Sequence, residues 1–478
     1  MATLEAAAKP SLSSSSRAAV LTIAGVFFLL LLDSSILNTS LPQVAFSMGV
    51  QPLALSPIIT GYLLASVVAM PLASWLSGKY GGRRVYLYAI GFFMLASAAC
   101  GASTTLWQLI AARVVQGVAG GLMFTVGRSL ALRDAPKSDL LSITSLLIWP
   151  ALLAPVLGPP LGGLITTYIS WRWNFLINIP LGLVALALIA KFVPPDGQAK
   201  ALPMDWPGAV MTAAGLGALF GGLELTILAT AQPGRWVPAL ALVSVGALLL
   251  GLAFRHLKRV PHPVISLAPL KAKTFRLATS SAGIFSAACM HATPYLLPLG
   301  LQIGFGFSAA AAGAMMLPYF LGNLLMKTVT TPLLRRVGFR PILMLDGALA
   351  MVLIGLFSVL SPQTPYVITI AVLVLAGGAR SMLFTAINTL AFVDVEQAER
   401  GHAATLTSIS QFLGQTLGIT GSALLLAGAQ ASHGGAALQL SDFRIAFIGV
   451  AIIGLLSLLP YLKLTAQDGQ EVIGARTG

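Results

Sequence analysis

Fourteen apolar stretches of about 20 residues or more, joined by short polar connections, leave this chain of 478 residues one kind of fold. A helix needs roughly 20 apolar residues to cross about 30 Å of hydrocarbon, where its backbone groups must be satisfied without water. The stretches run at about 18–40, 53–75, 84–102, 106–130, 140–168 and 173–193, then at 206–230 and 236–255, and finally at 274–303, 308–333, 340–360, 364–392, 402–429 and 443–463. A twelve-span alternative would keep Trp206 to Phe254 out of the membrane. Both halves of that segment are long and apolar, however, and the turn-like Gln232-Pro233-Gly234 separates them. Only 9% of the residues are charged and 57% are hydrophobic, a balance that excludes an ordinary soluble domain. The expectation is an all-α integral membrane protein: a tail over 1–17, six helices over 18–193, two extra helices over 206–255, six more over 274–463, and a tail over 464–478.

Charge distribution sets the orientation, because lysine and arginine are retained on the cytoplasmic side. With both termini inside, 22 of the 28 basic residues are cytoplasmic. Three are outside (Arg172, Arg235, Arg444) and three lie within spans (Arg113, Lys327, Arg380). The net charge of +14 thus reflects topology and contact with anionic lipid headgroups, and it does not imply nucleic-acid binding. No signal-peptide cleavage pattern follows the serine-rich start, and the alanine-rich composition resembles that of a bacterial plasma-membrane protein. Cys100 and Cys289 both fall in apolar runs, where free thiols are expected.

Ionisable groups inside the spans are the functional candidates. Asp33 lies about seven residues from the outer end of the first span, and Arg113 about seven from the outer start of the fourth. At 1.5 Å per residue both sit about 10 Å below the outer face, so they can meet. Two readings are open: a pair that makes and breaks as a proton is exchanged, or a permanent ion pair that fixes packing. Glu224, in the seventh span, is either a second protonation site or a carboxyl satisfied by a neighbour. Arg380, deep in the twelfth, needs a partner or an anionic ligand. Lys327 is expected to snorkel toward the cytoplasm. His291 is either a hydrogen-bonded core residue or a relay or ligand contact.

An internal repeat divides the chain: Leu76-Ser77-Gly78-Lys79-Tyr80-Gly81-Gly82-Arg83 recurs as Leu333-Leu334-Arg335-Arg336-Val337-Gly338-Phe339-Arg340, each between the second and third span of its half. Such pseudo-repeats typify secondary transporters, with the site between the halves. Four ordered motifs extend the comparison. They are Leu32-Asp33-Ser34-Ser35-Ile36-Leu37-Asn38-Thr39-Ser40-Leu41-Pro42, Arg113-Val114-Val115-Gln116-Gly117-Val118-Ala119-Gly120-Gly121, Gly158-Pro159-Pro160-Leu161-Gly162-Gly163, and Trp171-Arg172-Trp173-Asn174-Phe175 onward to Pro180. With these the chain resembles the major facilitator superfamily over nearly its whole length, specifically the fourteen-span drug:proton antiporters of the EmrB and QacA type.

That resemblance implies the major facilitator fold, with two six-helix bundles plus two linker helices. It implicates Arg113 in proton transfer, so that Asp33, Arg113 and, from its place in a span, Glu224 are the proton-coupling candidates, and it makes Gly158, Pro159, Gly162 and Gly163 the antiporter motif. It also makes Gly78, Lys79, Gly81, Arg83 and Arg84 a cytoplasmic gating loop, in which Gly78 stands where the family usually has an acid. Compensation by Asp346, or by Asp134 and Asp139, is one expectation. His291, Tyr295, Tyr319, Arg380 and Asn388 are candidates for the substrate cavity or gate, although aromatic residues in such helices also serve plain packing.

The implied function is proton-driven export of lipophilic or amphipathic drugs by alternating access, with no cofactor and the proton-motive force as energy source. Partners are small-molecule substrates, protons and membrane lipids. A periplasmic adaptor and an outer-membrane channel enter by analogy alone. No phosphate-cradling G-x-x-x-x-G-K-S/T loop and no Zn-binding H-E-x-x-H occurs, so ATP-driven, metal-dependent and enzymatic readings are poor. The alternatives are an exporter of one endogenous metabolite, an uptake symporter, and a non-transporting membrane sensor.

Overall fold

In the computed structural model the described residues are 14–133, 140–195, 203–231, 233–261, 263–396, 399–434, 437–465 and 468. The expected tails therefore lie almost wholly outside them, as do Asp134 and Asp139. The described chain is helical throughout, without a strand. The first group contains α1 (Ser14–Ile36), α2 (Ser56–Tyr80), α3 (Gly82–Ala102), α4 (Leu106–Arg133), α5 (Leu140–Tyr168) and α6 (Asn178–Phe192). Next come α7 (Trp206–Ala231) and α8 (Trp236–Leu257). The last group is α9 (Ser281–Leu299), α10 (Ala309–Val337), α11 (Phe339–Leu356), α12 (Tyr366–Leu390), α13 (Arg400–Ser432) and α14 (Leu440–Leu458). Thirteen described segments are long and apolar enough to cross a membrane, and the apolar stretch Leu152–Tyr168 within α5 adds the fourteenth.

Local chemistry fixes several helix starts. Asp205 accepts from the Gly208 amide at 2.9 Å ahead of α7, and Ser308 accepts from the Ala311 amide at 3.2 Å ahead of α10. Gln439 and Asp442 form a reciprocal capping box on α14. The repeat has a matching backbone: Gly81 (φ +87°) and Gly338 (φ +88°) each join two helices in a conformation that side chains resist. Sequence patterning does not show the short helix Leu41–Met48, which follows α1 and ends at Gly49. The ninth span is less regular than a single helix over 274–303. A short helix Lys273–Thr279 precedes a break at Ser280, and a wide turn over Gly300–Gly304 closes the far end.

Within the first group α1 packs on α5 and α6, α2 on α4, and α3 on α4 and α6. Within the last, α10 packs on α12, α9 on α13 and α14, and α11 on α12 and α14. The groups meet through α5 with α10 and through α2 with α13, while the α7–α8 hairpin leans on α2 and α13. Arg83, Arg84, Lys191, Arg335, Arg336 and Arg340 gather where α2, α6 and α10 end, which defines a basic end of the molecule.

Candidate functional site

Asp33 on α1 and Arg113 on α4 meet at 2.8 Å, both about 1% exposed. The carboxylate is held on both oxygens. Oδ2 accepts from Arg113, while Oδ1 accepts from the side-chain amides of Gln116 at 3.1 Å and Asn178 at 2.6 Å. Ser97 on α3 accepts from the same two amides at 2.6 and 3.2 Å, which orients them. Arg113 has further acceptors: its Nε donates to the Ile58 carbonyl at 3.2 Å and its Nη1 to Gln116 Oε1 at 2.7 Å. Its guanidinium also lies over the Tyr62 ring, 4.2 Å from the centroid. Gln116, Asn178, Ser97 and Tyr62 were not singled out from sequence. Gln116 was the most legible of them, three residues after Arg113 and hence on the same helix face.

Glu224 on α7 reaches both six-helix groups. Its carboxylate accepts from Ser56 Oγ at 2.5 Å and Thr60 Oγ1 at 3.0 Å on α2, and from Thr420 Oγ1 at 3.2 Å on α13. No described cation pairs with it. Three hydroxyls therefore tie the extra helix to one helix of each group, beside its apolar packing on both.

The glycine motif on α5 works on two faces. A Cβ on Gly158 would lie 2.0 Å from Ser35 Oγ, and one on Gly162 would lie 2.2 Å from the Ile36 carbonyl oxygen, so both glycines admit α1. Gly163 faces the other way, where a Cβ would lie 2.2 Å from the Ala309 carbonyl oxygen at the start of α10. Gly313 on α10 reciprocates against Pro159 O at 2.3 Å. Nearby, Gln302 Nε2 donates to the Thr39 carbonyl at 3.0 Å, Gln43 donates to Gln302 at 3.0 Å, and the Ala310 amide donates to Thr167 at 3.1 Å. These contacts close the seam between the groups at the end opposite the basic one.

In the last group Arg380 donates from Nε to the Met290 carbonyl at 3.2 Å, and no described acid pairs with it. The Lys327 ammonium donates to Thr385 Oγ1 on α12 at 2.7 Å. His291 stands edge-on to Phe384, 6.4 Å between centroids, without a described hydrogen bond. Tyr295 and Tyr319 are 1% and 2% exposed, so in this conformation both rings are packed core rather than open lining. Asn388 accepts from Gln411 on α13 and donates to the Phe384 carbonyl, contacts that stay inside one group.

At the basic end Arg83 donates to the Ala190 carbonyl, one of the last of α6 that its own helix leaves unpaired. Lys79 lies over the Trp75 and Tyr80 rings, and Arg84 is exposed. Gly78 itself ends no ion pair. Asp346, offered as compensation for the missing acid there, makes no ion pair among the described residues, and its Oδ2 is without a hydrogen-bond partner.

Two groups of six helices, with charges buried inside their spans and a seam between them closed at one end, define a secondary-transporter fold. The sequence signature of the Major Facilitator Superfamily matches residues 23–419, and the chain belongs to that family of transporters, not of enzymes. It is 34% identical over 406 residues, 84% of each chain, to a Citrobacter koseri protein provisionally named multidrug resistance protein MdtD. A Klebsiella pneumoniae protein of the same name is 33% identical over 458 residues, 94% of each chain. Among solved structures, an auto-inhibited POT-family peptide transporter superimposes with a TM-score of 0.67 at 16% identity, covering 94% of this chain and 98% of that one. The human organic anion transporter MFSD10 does so with a TM-score of 0.61 at 15% identity, covering 94% and 100%. At these identities the structural likeness speaks to fold alone.

Proposed function

We propose that this multi-pass transporter is a proton-coupled exporter of lipophilic or amphipathic small molecules. It sits in a bacterial plasma membrane, the basic end and both termini are cytoplasmic, and it works by alternating access. The observation that carries the reading is the buried Asp33–Arg113 pair inside a shell of neutral amides. A proton arriving on Asp33 cancels that pair. Arg113 is then not stranded, because Ile58 O, Gln116 Oε1 and the Tyr62 ring remain as partners. Arg113 therefore keeps neutral hydrogen-bond partners when its counter-charge is removed, which favours a coupling site over a purely structural pair.

A short mechanical route joins this pair to the seam. Ser35 and Ile36 follow Asp33 within one turn and seat directly on Gly158 and Gly162, and the adjacent Gly163 seats on α10. A shift of α1 on protonation thus reaches the contact between the groups through one helix. Glu224 is a second coupling site in this reading. Each of its three hydroxyl contacts is donated to the carboxylate, and a proton there turns one acceptor oxygen into a donor and loosens the tie between α2 and α13. The relatives named for multidrug resistance support the cargo class.

The test is accumulation of fluorescent lipophilic probes, cationic and anionic, in inverted membrane vesicles with an imposed pH gradient. Export coupled to protons gives accumulation that collapses when the gradient is dissipated. Accumulation indifferent to the gradient, or accumulation of no probe by folded protein, would overturn the reading.

A further inference from the structure

The last six-helix group holds two cations in its membrane-spanning part and no acid to match them. Arg380 lies ten residues before the end of α12, and Lys327 ten before the end of α10. At 1.5 Å per residue each is roughly 15 Å in from the basic end of its helix. Their anchors draw them toward one space between α9, α10 and α12. Arg380 is tethered to Met290 on α9 by Nε alone, and its terminal NH groups have no protein acceptor among the described residues. Lys327 reaches Thr385, five residues past Arg380 on α12. Arg380 is within Coulombic range of His291, Lys327 and Tyr319.

The acids in the described spans are engaged elsewhere or unpaired. Asp33 is bound to Arg113, Glu224 to three hydroxyls, and Asp442 to His433 and the Gln439 amide, while Asp346 pairs with neither cation. A charge held in this position without a counter-ion is costly, and such residues otherwise face a partner or a ligand path. On the basic-end side of Met290, the Arg380 anchor, lies a small pocket. Met290 and Phe384 line it together with Ile387, Asn388, Ser410 and Gln411. Phe384 also carries the His291 ring edge and has the Lys327 ammonium 6.0 Å from its ring centroid.

We propose that Arg380 and Lys327 form the headgroup site for an amphipathic organic anion, whose apolar body lies against Met290 and Phe384 beside them. The planar Arg380 fork suits the two oxygens of a carboxylate, and Lys327 adds a point charge beside it. This assigns the cargo a charge sign, acidic lipophiles rather than cationic drugs. It rests on the export reading only for the transport step, since binding is tested without transport.

The experiment measures binding of a dansylated fatty carboxylate and its neutral primary amide to the full chain in phosphatidylcholine nanodiscs. The carboxylate is expected to bind roughly 10- to 100-fold tighter than the amide, the range of a charge-assisted hydrogen bond. Arg380→Gln and Lys327→Gln each reduce that ratio, Arg380→Lys retains part of it, and unchanged amide binding reports that the variants are folded. Equal affinity for the two probes, a preference that survives both neutralisations, or displacement of the carboxylate by phosphatidylglycerol built into the disc would each overturn the proposal. The last outcome would give the site to a lipid headgroup. Loss of gradient-driven transport with binding intact would count against the export reading alone.

Discussion

Gly163→Ala is expected to open the seam between the two helix groups while Gly162→Ala leaves it shut, although the two residues are neighbours. A Cβ on Gly163 would sit 2.2 Å from the Ala309 carbonyl oxygen and 3.0 Å from the Ala310 Cα, where ordinary contact begins near 3.4 Å. Both obstacles are backbone, so no side chain can rotate away, and α5 and α10 must separate locally by roughly 1 Å. Overpacking of this kind costs about 1–3 kcal/mol. The cost falls only on the conformation in which the seam is closed. At 1.4 kcal/mol per factor of ten, the balance between closed and open seams moves by roughly 5- to 150-fold. Gly162→Ala meets the Ile36 carbonyl at 2.2 Å inside one group, so it lowers stability in both conformations without favouring either. Spin labels at Phe46→Cys and Gln363→Cys, exposed positions at the end opposite the basic one, report the separation of the groups. The native thiols Cys100 and Cys289 are buried and stay unlabelled. Gly163→Ala should shift the distance distribution to longer values. An unchanged distribution, or an equal shift in Gly162→Ala, would refute the assignment of the two faces.

The remaining expectations follow from the hydrogen-bond geometry. Glu224→Gln leaves a single acceptor oxygen for three hydroxyls, and loses a charged interaction of about 1.5–3 kcal/mol. Hydrogen exchange should rise in α7 and around Thr420, and exchange equal to that of the unaltered chain would remove the bridge. Asn178→Leu strips one of the three donors from Asp33, at a similar cost, and should lower gradient-driven transport about tenfold in folded protein; a rate within twofold would show that the amide shell is dispensable. Burial pushes the Asp205 carboxyl up, but hydrogen bonds from His256 and the Gly208 and Val264 amides outweigh it and hold the group below its ordinary value. A depressed carboxyl contributes stability that is present above its unfolded value and lost as pH falls through its folded value. Asp205→Ala should therefore cost about 1 kcal/mol near neutral pH, and the cost should fade on acidification, as read by thermal unfolding over a descending pH series. A deficit that persists at low pH would contradict the linkage.

The spans and the central pair were legible for a simple reason. Apolar run length reports helices directly in a membrane, and Asp33 and Arg113 stand out where hydrocarbon should exclude charge. Depth arithmetic then brings them together, because helical rise converts residue count into distance. The rest of the cluster was hidden by its chemistry. Gln116, Asn178 and Ser97 are neutral, so nothing in their identity marks them as buried partners of a carboxylate. The acceptor of Lys327 was hidden too, since Thr385 arrives from a helix almost 60 residues later. The two faces of Gly162 and Gly163 were equally invisible, since a glycine pattern signals close approach without saying to which helix. The short helix Leu41–Met48 escaped because its polar and apolar residues carry no span-length signal.

Asp33→Asn compared in two transport modes bears most directly on proton coupling at this site. In vesicles containing equal amounts of folded protein, the variant should lose accumulation driven by a pH gradient and keep exchange of labelled for unlabelled probe at equal pH, because exchange needs the substrate path but no net proton movement. Gradient-driven accumulation retained by the variant would contradict the account. Loss of both modes together would contradict it as well, by making the Asp33–Arg113 pair a packing element rather than the coupling site.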